Sequence, residues 1–181
     1  MKILMIKKSG NKTLFWNIFE YQFRSPITIV SGTLGIEGKG EEHKLRFWQS
    51  PKKFMKRLAA EKANQGYQLV EEKDLKKVYI QYRYNEENEE EFEMTEDKSL
   101  MVEEIVEEEL MYSGNGYGYG SEIGAGTGTS IFYVIDVEIA YNSIWKLLTE
   151  KKLTDGVEIA YEAEKGSYVS LHPKGAVFEL V

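Results

Sequence analysis

The chain has 181 residues, 42% of them hydrophobic, no cysteine and a formal net charge of -7, a length suited to one large domain or two small ones. The lack of cysteine excludes a disulfide framework, a thiolate nucleophile and a Cys-based zinc site, and it fits a reducing compartment such as the cytoplasm. No run approaches the roughly 18 apolar residues of a membrane span, the opening MKILMIKKSG is too short for a signal sequence, and neither a membrane nor a cofactor is expected as a partner.

The net charge conceals an asymmetry. Residues 1–84 hold 17 Lys+Arg against 8 Asp+Glu, a balance of +9, and residues 85–181 hold 6 against 22, a balance of -16. Two units with different electrostatic partners, or two that attract each other, follow from such a split.

Runs 14–19 and 27–30 are rich in β-branched and aromatic residues and predict strands, with a third over 44–48. Gly32, Gly35, Gly38 and Gly40 punctuate the connection before that third strand. Ser50 followed by Pro51 signals a helix start, Phe54, Leu58 and Ala59 mark its apolar side, and Gly66 ends it. The period-two pattern over 78–84 predicts another strand. Residues 85–98 are so dense in Glu that self-repulsion argues for a solvated acidic linker.

Beyond it, Leu100, Met101, Ile105, Val106, Leu110 and Met111 fall near helical spacing among glutamates. Residues 113–130 contain seven glycines and read as a connection to a strand over 131–135. A helix over 137–152 and strands over 157–161 and 168–171 complete the chain, the last two joined by the turn Glu164-Lys165-Gly166. The expected fold is α+β: an antiparallel sheet with one helix, then a ferredoxin-like α+β sandwich with two helices over one face of a sheet. The domains expected are 1–84, whose last strand over 76–84 is also assignable to the second domain, a linker 85–98, and 99–181.

Residues 12–72 resemble the WGR domain, a small module known from DNA-dependent poly(ADP-ribose) polymerases and from bacterial proteins. Phe15-Trp16-Asn17-Ile18 looks like the family's opening strand, and Ser31 through Lys39 looks like its signature turn. Ser50-Pro51-Lys52-Lys53-Phe54 resembles the start of its helix, and Lys62 through Tyr67 resembles the close. Where the family has Trp-Gly-Arg, this chain has Ser31-Gly32-Thr33. The resemblance implies a small binding fold. In the polymerases the signature Trp and Arg engage a DNA end and a neighbouring domain by stacking and guanidinium contacts, which Ser and Thr do not reproduce. Nothing resembles the polymerase catalytic domain.

Nucleic-acid or partner binding would use Lys39, Lys44, Arg46, Lys52, Lys53, Lys56, Arg57 and Lys62, since phosphate contacts release counterions; the alternative is an ordinary solvated helix face. Gly116, Gly118, Gly120, Gly124, Gly126 and Gly128 form a candidate ligand loop, though they lack a Gly-Lys-Ser/Thr ending and precede a strand instead of opening a helix. The histidines, His43 and His172, stand one in each half, residues 86–97 lack the ligand alternation of an EF-hand, and no Gly-x-Ser-x-Gly elbow occurs.

Two functions follow. The first is a non-enzymatic cytoplasmic module that binds nucleic acid or a protein through its basic half, with residues 86–109 as an acidic regulator of the helix face 52–62. The alternative is an acidic, immunity-type interaction protein that occupies a basic protein partner.

Overall fold

In the computed structural model, which describes residues 1–21 and 25–180, alternation of apolar residues along the first strands sets up a sheet buried on both faces. Strand β1 (Lys2–Ser9) pairs antiparallel with β2 (Lys12–Glu20), with Met5 opposite Trp16 and Leu4 opposite Asn17. Strands β3 (Ile27–Thr33) and β4 (Lys39–His43) extend one side, and β5 (Gln68–Leu69) closes the other, in the order β4-β3-β2-β1-β5. Helix α1 (Pro51–Asn64) covers one face. Ile3, Met5, Trp16, Ile18 and Ile27 point at it and enclose Met55, with Phe54 and Leu58 around them. Each fully buried aliphatic side chain contributes about 1.5–3 kcal/mol, so this face supplies much of the unit's stability.

The helix begins as its sequence dictates. The Ser50 side chain accepts the Lys53 N–H at 3.4 Å and Pro51 opens the first turn. Gly66, with φ near +88°, follows its end in the left-handed region that favours glycine.

Phe15, Asn17 and Phe19 point to the opposite face of the sheet by strand alternation and are likewise buried. Residues Met111–Asn115 belong to this unit, together with Met1–Asp74. The Gly35 N–H donates to the Ser113 carbonyl at 2.8 Å, the Gly38 N–H to the Tyr112 carbonyl at 2.8 Å, and the Asn17 side chain to the Met111 carbonyl at 3.5 Å.

The second unit comprises Leu75–Leu110 and Gly116–Val181. Its elements are β6 (Lys76–Arg83), α2 (Glu89–Tyr112, the last two residues counted with the first unit), β7 (Gly116–Gly124), β8 (Thr127–Val134), α3 (Val137–Glu150), β9 (Glu158–Glu164) and β10 (Ser167–His172). The strand order is β10-β9-β6-β8-β7, every pair antiparallel. From β6 to β9 this is a βαββαβ run with its strands placed fourth, first, third, second, the ferredoxin-like arrangement, with β10 added at an edge. Both helices lie on one face. Val102, Val106 and Leu110 of α2 and Ala140, Ile144 and Leu148 of α3 pack on Val78, Ile80, Phe132 and Val134. The fold is α+β.

Three expectations are corrected. The third strand lies at Lys39–His43 and not over 44–48, because Arg46 and Gln49 bond each other in a turn and Phe47 and Trp48 face solvent without alternation. Residues 85–98 are not a linker: from Glu89 onward they are the first half of α2. Asn88 caps that helix by accepting the Glu91 N–H, three glutamates in the first turn complement the helix dipole, and Thr95 and Ser99 turn inward. On α2, Leu100 and Met101 point outward, 55% and 51% exposed, and Val102 takes the core position instead.

The glycine-rich stretch is corrected too. It is a β-hairpin, with β7 and β8 joined by Ala125 (φ 48°) and Gly126 (φ 73°), a two-residue turn with both φ values positive. Gly128 has a packing reason: a Cβ there would meet the Ser99 hydroxyl and stand 2.8 Å from the Thr95 methyl, so its absence brings α2 down onto β8. Strand β1 was not anticipated, since three lysines in its eight residues hide the alternation of Ile3 and Met5.

Candidate nucleic-acid interface

The surface with the most chemistry to offer lies in the first unit, just before α1. The Arg46 N–H donates to the Gln49 side-chain carbonyl at 2.8 Å and the Gln49 N–H returns to the Arg46 carbonyl at 2.9 Å, which locks a tight turn. That turn projects Phe47, 86% exposed, and Trp48, 64% exposed. Their rings meet edge to face at 4.6 Å, and the Arg46 guanidinium lies 5.5 Å from the Trp48 ring centre. Aromatic surface of this size is ordinarily buried, so two adjacent rings in water make this turn the candidate contact surface.

Beside them opens a groove of about 510 Å³ lined by Pro26, Lys44, Leu45, Arg46, Phe47 and Pro51 among others. Residues 44–62 contain seven Lys+Arg and one Glu. Lys52, Lys53 and Lys56 are exposed on α1, and among the described residues no ion pair engages them or Lys44.

The expected basic residues therefore divide. Lys44 and Arg46 line the groove beside the aromatic turn, and Lys52, Lys53 and Lys56 are exposed on the first turns of α1 that follow it. Lys39, Arg57 and Lys62 line a second groove of about 430 Å³ between α1 and β4, with Trp16 and Ser31 among its lining residues. There Arg57 and Lys62 are already engaged. Arg57 pairs with Glu61 at 2.7 Å and lies 5.4 Å from the Phe54 ring centre, and the Lys62 ammonium sits 5.8 Å from that of Trp16 and 5.5 Å from that of Tyr67. Glu41 and His43 also line it, 3.8 Å apart, leaving its charge mixed. Ser31 is one wall residue of this second groove.

Sequence reasoning missed Phe47 and Trp48. The available signal was an aromatic doublet flanked by Lys44, Arg46 and Lys52 that does not alternate with polar residues, and so belongs to no half-buried strand.

The glycines proposed as a ligand loop lie in a β-hairpin. Gly116, Gly118, Gly120 and Gly124 lie in β7 and Gly128 in β8, with backbones paired in the ladder, and Gly126 occupies the turn. An anion nest needs unpaired N–H groups converging on one point. The His172 ring centre lies 4.3 Å from that of Trp145 in the second unit, the two planes tilted by 38°.

Comparison of the chain with protein-family models, with curated proteins and with solved structures yields no match.

Among the described residues, no helix is long and apolar enough to cross a membrane.

Proposed function

We propose that the protein is a non-enzymatic nucleic-acid-binding module that holds a single strand on the turn 46–48, with the backbone running over Lys44, Lys52, Lys53 and Lys56. The observation that carries this reading is the pair of exposed rings, in edge-to-face contact, beside cations that have no carboxylate partner among the described residues. Single strands are bound by just these two elements: aromatic faces on which unpaired bases stack, and a positive track for the phosphates. The WGR-like character of residues 12–72 agrees with it, the stacking role passing from the signature position, where Ser31 stands, to Trp48.

Fluorescence anisotropy of a labelled oligothymidylate against the intact chain tests the reading. Binding that weakens with salt is expected, along with a loss of about 5- to 150-fold in Trp48→Ala, since one stacked base is worth about 1–3 kcal/mol. Lys52→Glu with Lys56→Glu should flatten the salt dependence. No binding at low salt, or full binding by Trp48→Ala, overturns it.

A further inference from the structure

We propose that the outer ridge of α2 is a docking surface for the Arg46, Phe47 and Trp48 surface of a second copy of this chain, so that copies associate head to tail. The ridge follows from helical spacing. Val102, Val106 and Leu110 bury one side of α2, and Glu90, Met94, Asp97, Met101, Glu104 and Glu108 fall on the opposite side at steps of three and four. All six are exposed, and Met94 is 65% exposed. A soluble helix normally presents only polar groups on its outer face; two methionines in line between carboxylates leave this one without an apolar partner.

The chemistry of the ridge matches the turn 46–48 and the start of α1 group by group. The thioethers favour aromatic rings, which Phe47 and Trp48 supply in solvent. The carboxylates favour Arg46, Lys52, Lys53 and Lys56, among which no ion pair is formed in the described residues. The charge split of the chain, +9 over residues 1–84 and -16 over residues 85–181, makes the same pairing favourable at long range. A ridge that pairs with a different surface of its partner is a heterologous contact, so every added copy leaves one ridge and one turn open. The inference does not rest on the nucleic-acid reading, because it concerns the chain alone.

Sedimentation velocity of the intact chain, without nucleic acid, tests it. From about 0.01 M to about 1 M salt the screening length falls from roughly 30 Å to roughly 3 Å, and concentration-dependent species at and above twice the 20.9 kDa chain mass should give way to the single chain. Trp48→Ala with Lys52→Glu disables the turn, and Asp97→Lys with Met101→Lys disables the ridge; all four positions are exposed, so folding should persist, as circular dichroism would confirm. Each double variant alone should stay monomeric, and an equimolar mixture should form a dimer and nothing larger, since it retains one working turn and one working ridge. A monomer at every concentration in low salt, a mixture that fails to dimerise, or double variants that associate like the parent would each overturn the proposal. Failure here would leave oligonucleotide binding untouched, and failure of oligonucleotide binding would leave this association intact.

Discussion

The ring of Phe15 occupies the place where any side chain on Gly114 would project. A Cβ on Gly114 would fall on the Phe15 ring, and the backbone there has φ near +75°. One contact thus ties a residue near the start of the chain to one a hundred positions later.

Gly114→Ala should therefore destabilise the protein by about 3 kcal/mol or more, from overpacking against a buried ring plus a left-handed conformation at a residue with a Cβ. Thermal unfolding measures this. Gly156→Ala is the control, since its φ of 66° carries the same backbone strain but a Cβ there meets nothing within 4 Å.

A fragment of residues 1–84 should fail to fold as the intact unit does. It lacks Met111–Asn115, so the Gly35 and Gly38 N–H groups lose their carbonyl acceptors and Phe15 loses its cover. Each lost hydrogen bond is worth about 0.5–1.5 kcal/mol, and the uncovered Phe15 ring adds its own cost. A dispersed amide spectrum from the fragment would contradict this.

High pH should weaken the second unit through Tyr82. Its hydroxyl donates to the Leu153 carbonyl at 2.7 Å, the ring lies 3.9 Å from the Lys98 ammonium, and burial raises its pKa above the ordinary tyrosine value. Tyr79 is raised as well, first by burial and then by Glu162. Because the unfolded phenol loses its proton near 10 and the folded one keeps it, the stabilisation is complete below about pH 10 and declines above it. Unfolding midpoints measured from pH 9 upward should fall, and less steeply in Tyr82→Phe, which at neutral pH costs about 1 kcal/mol for the lost hydrogen bond.

Shortening the chain before Pro173 should loosen the outer face of the second sheet. Phe178 packs on Tyr79 and Tyr168, with ring centres 6.1 Å and 5.6 Å away, and the Glu179 carbonyl accepts from the buried Gln81 side chain at 3.3 Å. Loss of about 3 kcal/mol, near that of a buried Phe→Ala change, is the expected outcome in denaturant titration.

What the sequence disclosed was mostly local. Ser50 and Pro51 announce α1, Asp136 accepts the Ile139 N–H at 3.0 Å where α3 begins, and the turn before Gly166 joins β9 to β10, because caps and turns are decided within four residues. The misreadings came from composition set against position. The glutamates from Glu89 onward repel one another, yet Asn88, the helix dipole and the inward Thr95 and Ser99 settle them as helix. Gly116 to Gly128 look like a loop because glycine is permissive, and they form strands because a Cβ at Gly118 would stand 3.2 Å from the Glu107 carboxylate carbon and one at Gly128 would meet Ser99. The candidate interface divided in the same way: its cations were visible as residues, but only the Arg46–Gln49 hydrogen bonds put Phe47 and Trp48 in water.

The assignment of Met111–Asn115 to the first unit also bears on synthesis. With residue 74 made, 41 more residues, 115 less 74, must be joined before this unit, with the acceptors of Gly35 and Gly38, is complete. At about 5–20 residues per second this leaves the nascent chain incomplete for roughly 2–8 s. During that interval Phe15 stays uncovered and open to chaperones, so the first sheet waits on a segment from the far side of α2 before it can close.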